Sequence, residues 1–77
     1  MKVHLQLYSV LRDKLPAEAK GRAVFELADG ATLADLLGAL DIRHTVVASV
    51  NGVHEPDRAR VLQDGDEVKL FSSVGGG

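Results

Sequence analysis

The last seven residues, Phe71-Ser72-Ser73-Val74-Gly75-Gly76-Gly77, offer one reactive group, the α-carboxylate of Gly77, on a thread whose final three positions carry no side chain. A carboxylate held out this way has the form of a substrate. It becomes a useful electrophile only after an oxygen has been turned into a good leaving group, as phosphoryl activation does. Glycine lacks a Cβ and reaches backbone conformations closed to other residues, so three in a row can enter an enzyme tunnel too narrow for side chains. Taken alone, the run fits a frayed end or an expression scar equally well. The rest of the chain has to decide between these readings.

Other reactive side chains form no recognisable constellation. His4, His44 and His54 are spread over separate segments with no i, i+4 pair and no accompanying ligand cluster, which speaks against a metal site. Asp64, Asp66 and Glu67 resemble a carboxylate cluster, but Asp64-Gly65 is explained by the geometry of a turn. No nucleophile-base-acid triad, phosphate-binding loop or dinucleotide glycine pattern is present, so the sequence offers no catalytic apparatus of its own. Cysteine is absent, which removes disulfides, thiolate metal sites and a thiol nucleophile together.

The chain has 77 residues, enough for one domain. A domain this small buries only about 60% of the surface its unfolded form exposes. With 45% hydrophobic and 26% charged residues it has the composition of an ordinary globular protein. Its apolar runs are far shorter than the ~20 residues that cross a bilayer. Nine Lys or Arg against eleven Asp or Glu give a net charge of −2 without a basic run, which argues against nucleic acid. Three aromatics, Tyr8, Phe25 and Phe71, are too few for a base-stacking platform. Met1-Lys2 leads directly into a strand pattern, leaving no room for a signal peptide, and a cytoplasmic location is expected.

The elements that must position the tail can be read in order. Val3, Leu5 and Leu7 alternate with His4, Gln6 and Tyr8, the period of a strand with one face on a core. Val10, Leu11 and Leu15 shift toward helical spacing before Pro16 and Gly21 bracket a turn or loop. A second strand is expected over 22–28, antiparallel to the first across what reads as a short link. Thr32 stands as a helix N-cap with Asp35 three residues on, and Leu33, Leu36, Leu37 and Leu40 follow at i, i+3, i+4 and i+7 as a core stripe. A third strand is expected over 45–50, turned by Asn51-Gly52 into a brief return at Val53-His54 that Pro56 interrupts. An irregular or short helical connection over 57–62 should hold Val61 and Leu62 inward. A last strand over 66–72 should place Val68 and Leu70 on one face, Lys69 and Phe71 on the other.

Two hairpin-like halves flanking a helix that lies across one sheet face make an α+β, ubiquitin-like β-grasp: a mixed sheet of four to five strands with one main helix. The first and last strands would run parallel in the middle, making the tail an extension of a central strand. The expected organisation is a β-grasp domain over 1–74 and a flexible glycine tail over 75–77.

The whole chain resembles the ubiquitin-like sulfur carriers, represented by the small subunit of molybdopterin synthase and by the thiamine-pathway carrier. The resemblance rests on the opening Val3-His4-Leu5-Gln6-Leu7-Tyr8, the helix start Ala31-Thr32-Leu33-Ala34-Asp35-Leu36-Leu37 and the turn Ser49-Val50-Asn51-Gly52. It rests most on the join of Asp64-Gly65-Asp66-Glu67-Val68 to Phe71 and the closing Gly76-Gly77. It implies that an activating enzyme resembling the ubiquitin type adenylates Gly77 with ATP. A sulfurtransferase then converts it to a thiocarboxylate, and the sulfur is donated in a synthase large subunit or another acceptor. Gly76 would be the second tunnel residue, with Gly75 and Val74 extending the partner-binding tail; no bound cofactor or metal is implied.

The likeness to the molybdopterin-type carrier has departures. Those small subunits usually carry two prolines where Ser72-Ser73 stand, and a Val-Gly-Gly-Gly ending is seen among thiamine-type carriers. Phe71 and the opening block lean toward molybdopterin, and a thiamine-type or other sulfur-metabolite carrier stays open. So does a protein modifier conjugated through Gly77, because fold and ending are shared. A plain interaction domain with an inert tail is the third reading. Phe71 is expected either as an exposed partner anchor beside the tail or as packing on the second sheet face. Arg12, Lys69, Arg58 and Arg60 either steer an acidic partner or form a solvated charged surface.

Overall fold

The computed structural model describes residues 1–43 and 45–72. Five strands form one mixed sheet: β1 (Lys2–Leu7), β2 (Arg22–Glu26), β3 (Val46–Val50), β4 (Val53–His54) and β5 (Glu67–Ser72), in the order β2-β1-β5-β3-β4. One helix, α1 (Leu33–Ala39), packs across one face. β1 pairs antiparallel with β2 and parallel with β5, while β3 pairs antiparallel with β5 and β4. This is the expected β-grasp, with β5 central.

Alternation on the central strands divides their side chains between two faces. Val3, Leu5, Leu7, Val68, Leu70, Val46, Ala48 and Val50 are buried against α1, which contributes Leu33, Leu36 and, just past its end, Leu40. Leu37, the fourth member of the leucine stripe, is half-buried at its margin. The helix starts where the sequence says it should. Thr32 Oγ1 accepts from the Asp35 amide at 3.2 Å and Asp35 Oδ2 accepts from the Thr32 amide at 2.8 Å, a reciprocal cap. The next two amides, of Leu33 and Ala34, donate to the carbonyls of Arg60 and Arg58, so the connection before β5 completes the capping.

The structure differs from the sequence reading in five places. The link between β1 and β2 is two short 3-10 helices, Ser9–Lys14 and Ala17–Ala19, with Leu11 buried beneath the first. It closes at Gly21, whose φ of +79° and close approach to the Leu7 carbonyl, 2.5 Å from where a Cβ would sit, exclude a side chain. β2 ends at Glu26; Leu27 still exchanges both main-chain bonds with Met1, whereas the Ala28 carbonyl accepts from the Ala31 amide in the turn that follows, and β3 starts at Val46. Asp66 belongs to the turn before β5, not to the strand.

Val61 points outward, with Leu62 alone filling the core, because successive side chains flank an isolated bridge between Thr32 and Val61. Asn51, at φ 52°, and Gly52, at φ 82°, make the expected tight turn between β3 and β4. Among the described residues no helix is long and apolar enough to cross a membrane.

Candidate functional site

The candidate site is the end of the open sheet face where β5 finishes. β5 and β1 run parallel with Leu7 opposite Leu70, and β3 sets Val47 opposite Phe71 and Val46 opposite Ser72. The residue just after β1, Tyr8, donates its amide to the Leu70 carbonyl at 3.2 Å and so continues the ladder beside Phe71. The two rings stack with centroids 4.4 Å apart and planes 9° from parallel. Phe71 nevertheless remains 39% exposed, and Val47 beside it is also exposed. The two readings of Phe71 are therefore reconciled: one face of the ring packs on Tyr8, and the rest stays available to a partner.

Behind this apolar patch lies a polar row. Lys69 is flanked by Gln6 on β1 and Ser49 on β3, and Gln6 is opposite Arg22, whose Nε donates to Gln6 Oε1 at 2.8 Å. An apolar patch with a polar border is the layout of a recognition surface, where aromatic anchors carry most of the energy. Tyr8 was not singled out in the sequence. The signal was there in its place at the end of the His4, Gln6, Tyr8 alternation, but only the β1–β5 register shows that it meets Phe71.

The four candidate cations separate. Arg12 and Lys69 are exposed. Arg60 pairs with Glu55 at 2.9 Å, and Arg58 donates to the Val46 carbonyl. That bond puts the Arg58 guanidinium beside the start of β3, whose first residue is the register partner of Ser72. The hydrogen bond from Arg60 is the main cause that holds the Glu55 carboxyl below its ordinary value of 4.5, helped by the Asp57 amide.

The acidic turn before β5 is structural. Asp66, 7% exposed, accepts from Asn51 Nδ2 and from the Gln63 amide, and Asp64 accepts from the Lys2 amide. These bonds tie the start of β5 to β1 and to the β3–β4 turn. Among the described residues no group of three or more His, Asp or Glu side chains is placed to hold a metal. His4 and His54 are exposed on different strands; His44 lies outside the described residues, as do Ser73, Val74, Gly75, Gly76 and Gly77.

The profile of the ThiS family matches residues 11–77, from the first 3-10 helix through the final glycine. The chain belongs to the ThiS family. Among curated proteins no sequence matches it. Solved structures similar to this ThiS-family chain include a Pyrococcus furiosus protein provisionally described as molybdopterin converting factor subunit 1. It is 24% identical, with TM-score 0.75, over 92% of this chain and 95% of that one. The small archaeal modifier protein 1 of Haloferax volcanii is 19% identical, with TM-score 0.72, over 91% and 94%. A complex of subunits 1 and 2 of the molybdopterin-converting factor of Helicobacter pylori contains a chain 18% identical, with TM-score 0.66, over all of both chains. These likenesses bear out the β-grasp fold, and the family match bears out the resemblance to ubiquitin-like sulfur carriers.

Proposed function

We propose that this ThiS-family chain is a sulfur carrier whose reacting group is the carboxylate of Gly77. In an activating enzyme of the ubiquitin type the carboxylate attacks the α-phosphorus of ATP, pyrophosphate leaves, and an acyl adenylate forms. Hydrosulfide, released from the persulfide of a sulfurtransferase by a thiol that is oxidised to a disulfide, then displaces AMP and leaves a thiocarboxylate on Gly77. The thiocarboxylate sulfur is the nucleophile delivered to the acceptor, and hydrolysis of the spent acyl group restores the carboxylate. The observation that carries this reading is the family match running through Gly77, joined to a fold in which the central strand leads toward that residue.

The sulfur serves molybdopterin formation in this proposal, with a synthase large subunit as acceptor. Phe71 and the opening block support that branch. So does the fold shared with proteins described as subunit 1 of molybdopterin-converting factor, one of them in complex with subunit 2. The Tyr8, Phe71 and Val47 patch is where the activating enzyme and the acceptor dock while Val74, Gly75 and Gly76 enter the partner's tunnel.

The test is intact-mass spectrometry of the full chain after incubation with ATP, the activating enzyme and the sulfurtransferase of its own host. Replacement of one oxygen by sulfur at Gly77 supports the carrier. Isopeptide-linked adducts on lysines of other proteins support the modifier instead. Absence of an acyl adenylate on Gly77 defeats both.

A further inference from the structure

The two edges of the sheet are treated very differently. β4 is two residues long and is followed by Pro56, which cannot donate to a further strand, so that edge is closed. β2, Arg22-Ala23-Val24-Phe25-Glu26, has no proline and no inward-facing charge, and Val24 at its middle is 55% exposed. Among the described residues nothing pairs with its outer side.

The hydrogen-bond phase shows which groups face outward. Met1 and Leu27 exchange both main-chain bonds, and Leu7 donates to Gly21 six residues along the same ladder. In an antiparallel ladder such exchanging pairs recur every second residue, so Val3–Phe25 and Leu5–Ala23 are the exchanging pairs between them. Arg22, Val24 and Glu26 therefore turn their N–H and C=O groups away from β1. These three residues are symmetric about Val24.

We propose that β2 pairs antiparallel with β2 of a second copy of this chain across a two-fold axis at Val24. Arg22 then stands opposite Glu26 of the second copy, and Glu26 opposite its Arg22. Val24 meets Val24, and small Ala23 faces large Phe25. The three outward-facing residues on each strand exchange about six main-chain bonds in this register. A one-residue shift would turn the outward groups of one strand against the inward groups of the other.

Charge complementarity selects the second copy as occupant. Among the described residues neither Arg22 nor Glu26 has an ion pair. The bond from Arg22 to Gln6 uses Nε, leaving the terminal guanidinium nitrogens for the partner carboxylate. A two-fold interface requires a self-complementary patch, which a strand with opposite charges at equal distances from its centre supplies. The seam lies beyond β1 from β5, so the Tyr8 and Phe71 patch of each copy stays open, and the proposal does not depend on the carrier reading.

A seam of one short strand per copy is smaller than a standard interface, so association is weak, with a dissociation constant on the order of 0.1 mM. Sedimentation of the full chain from about 10 μM to 1 mM should show a monomer–dimer equilibrium in that range. Glu26→Arg and Arg22→Glu should each weaken it at least about tenfold by facing like charges. The double variant Arg22→Glu with Glu26→Arg should restore it. Val24→Pro, which removes the donor at the axis, should abolish it while circular dichroism shows the fold retained. A chain monomeric throughout this range, single reversals without effect, or a folded double variant that stays monomeric each overturns the proposal.

Discussion

At the scale of single residues, Phe71 does two jobs that a substitution can separate. Its ring contributes stacking on Tyr8, a contact of about 0.5–1.5 kcal/mol, and its exposed side forms the middle of the patch proposed for docking. Phe71→Ala should lower stability by about 1–2 kcal/mol in urea unfolding. Adenylation of Gly77 should fall more than tenfold in kcat/KM, a larger loss than unfolding explains. Phe71→Tyr keeps the stack and should recover most of both. The Glu55–Arg60 pair makes a different prediction. Because the folded-state carboxyl is held below 4.5, its contribution is present above that ordinary value and disappears as pH falls through the depressed one. Thermal melts of the chain and of Glu55→Gln should therefore differ near neutral pH and converge in acid.

At the scale of elements, legibility followed how local the cause was. The cap at Thr32 and the leucines of α1 are fixed within a few residues of one another, and the structure reproduces both. The Asn51-Gly52 turn was legible for the same reason, since its positive φ angles are a local demand. Val61 was misplaced because the connection before β5 has no period; its form is set by bonds to the distant Ala31, Leu33 and Ala34. Tyr8 beside Phe71, and Arg58 on the Val46 carbonyl, depend on strand register and loop closure that no local pattern encodes. Two substitutions measure these causes by urea unfolding. Thr32→Ala removes a reciprocal cap and should cost about 1 kcal/mol. Gly21→Ala forces a Cβ into a left-handed conformation against the Leu7 carbonyl. It should cost more than the about 1–2 kcal/mol of the conformation alone.

At the scale of the whole molecule, folding and the proposed chemistry are assigned to different parts of the chain. Every buried hydrophobic residue among those described lies between Val3 and Leu70, and the first and last strands are held together in parallel at the centre of the sheet. The sequence contains no cysteine, so this core and its hydrogen bonds supply the stability without a disulfide. A glycine has no side chain to add to such a core. Deleting Gly76 and Gly77 should therefore leave the urea midpoint unchanged within about 0.5 kcal/mol. The same deletion should reduce ATP-dependent acyl transfer to background. An inert-tail interaction domain predicts the opposite pairing, with partner binding and function intact in the truncated chain. Measuring both quantities on one preparation separates these readings, because a truncated chain that melts normally yet cannot be adenylated has lost a substrate group and not a fold.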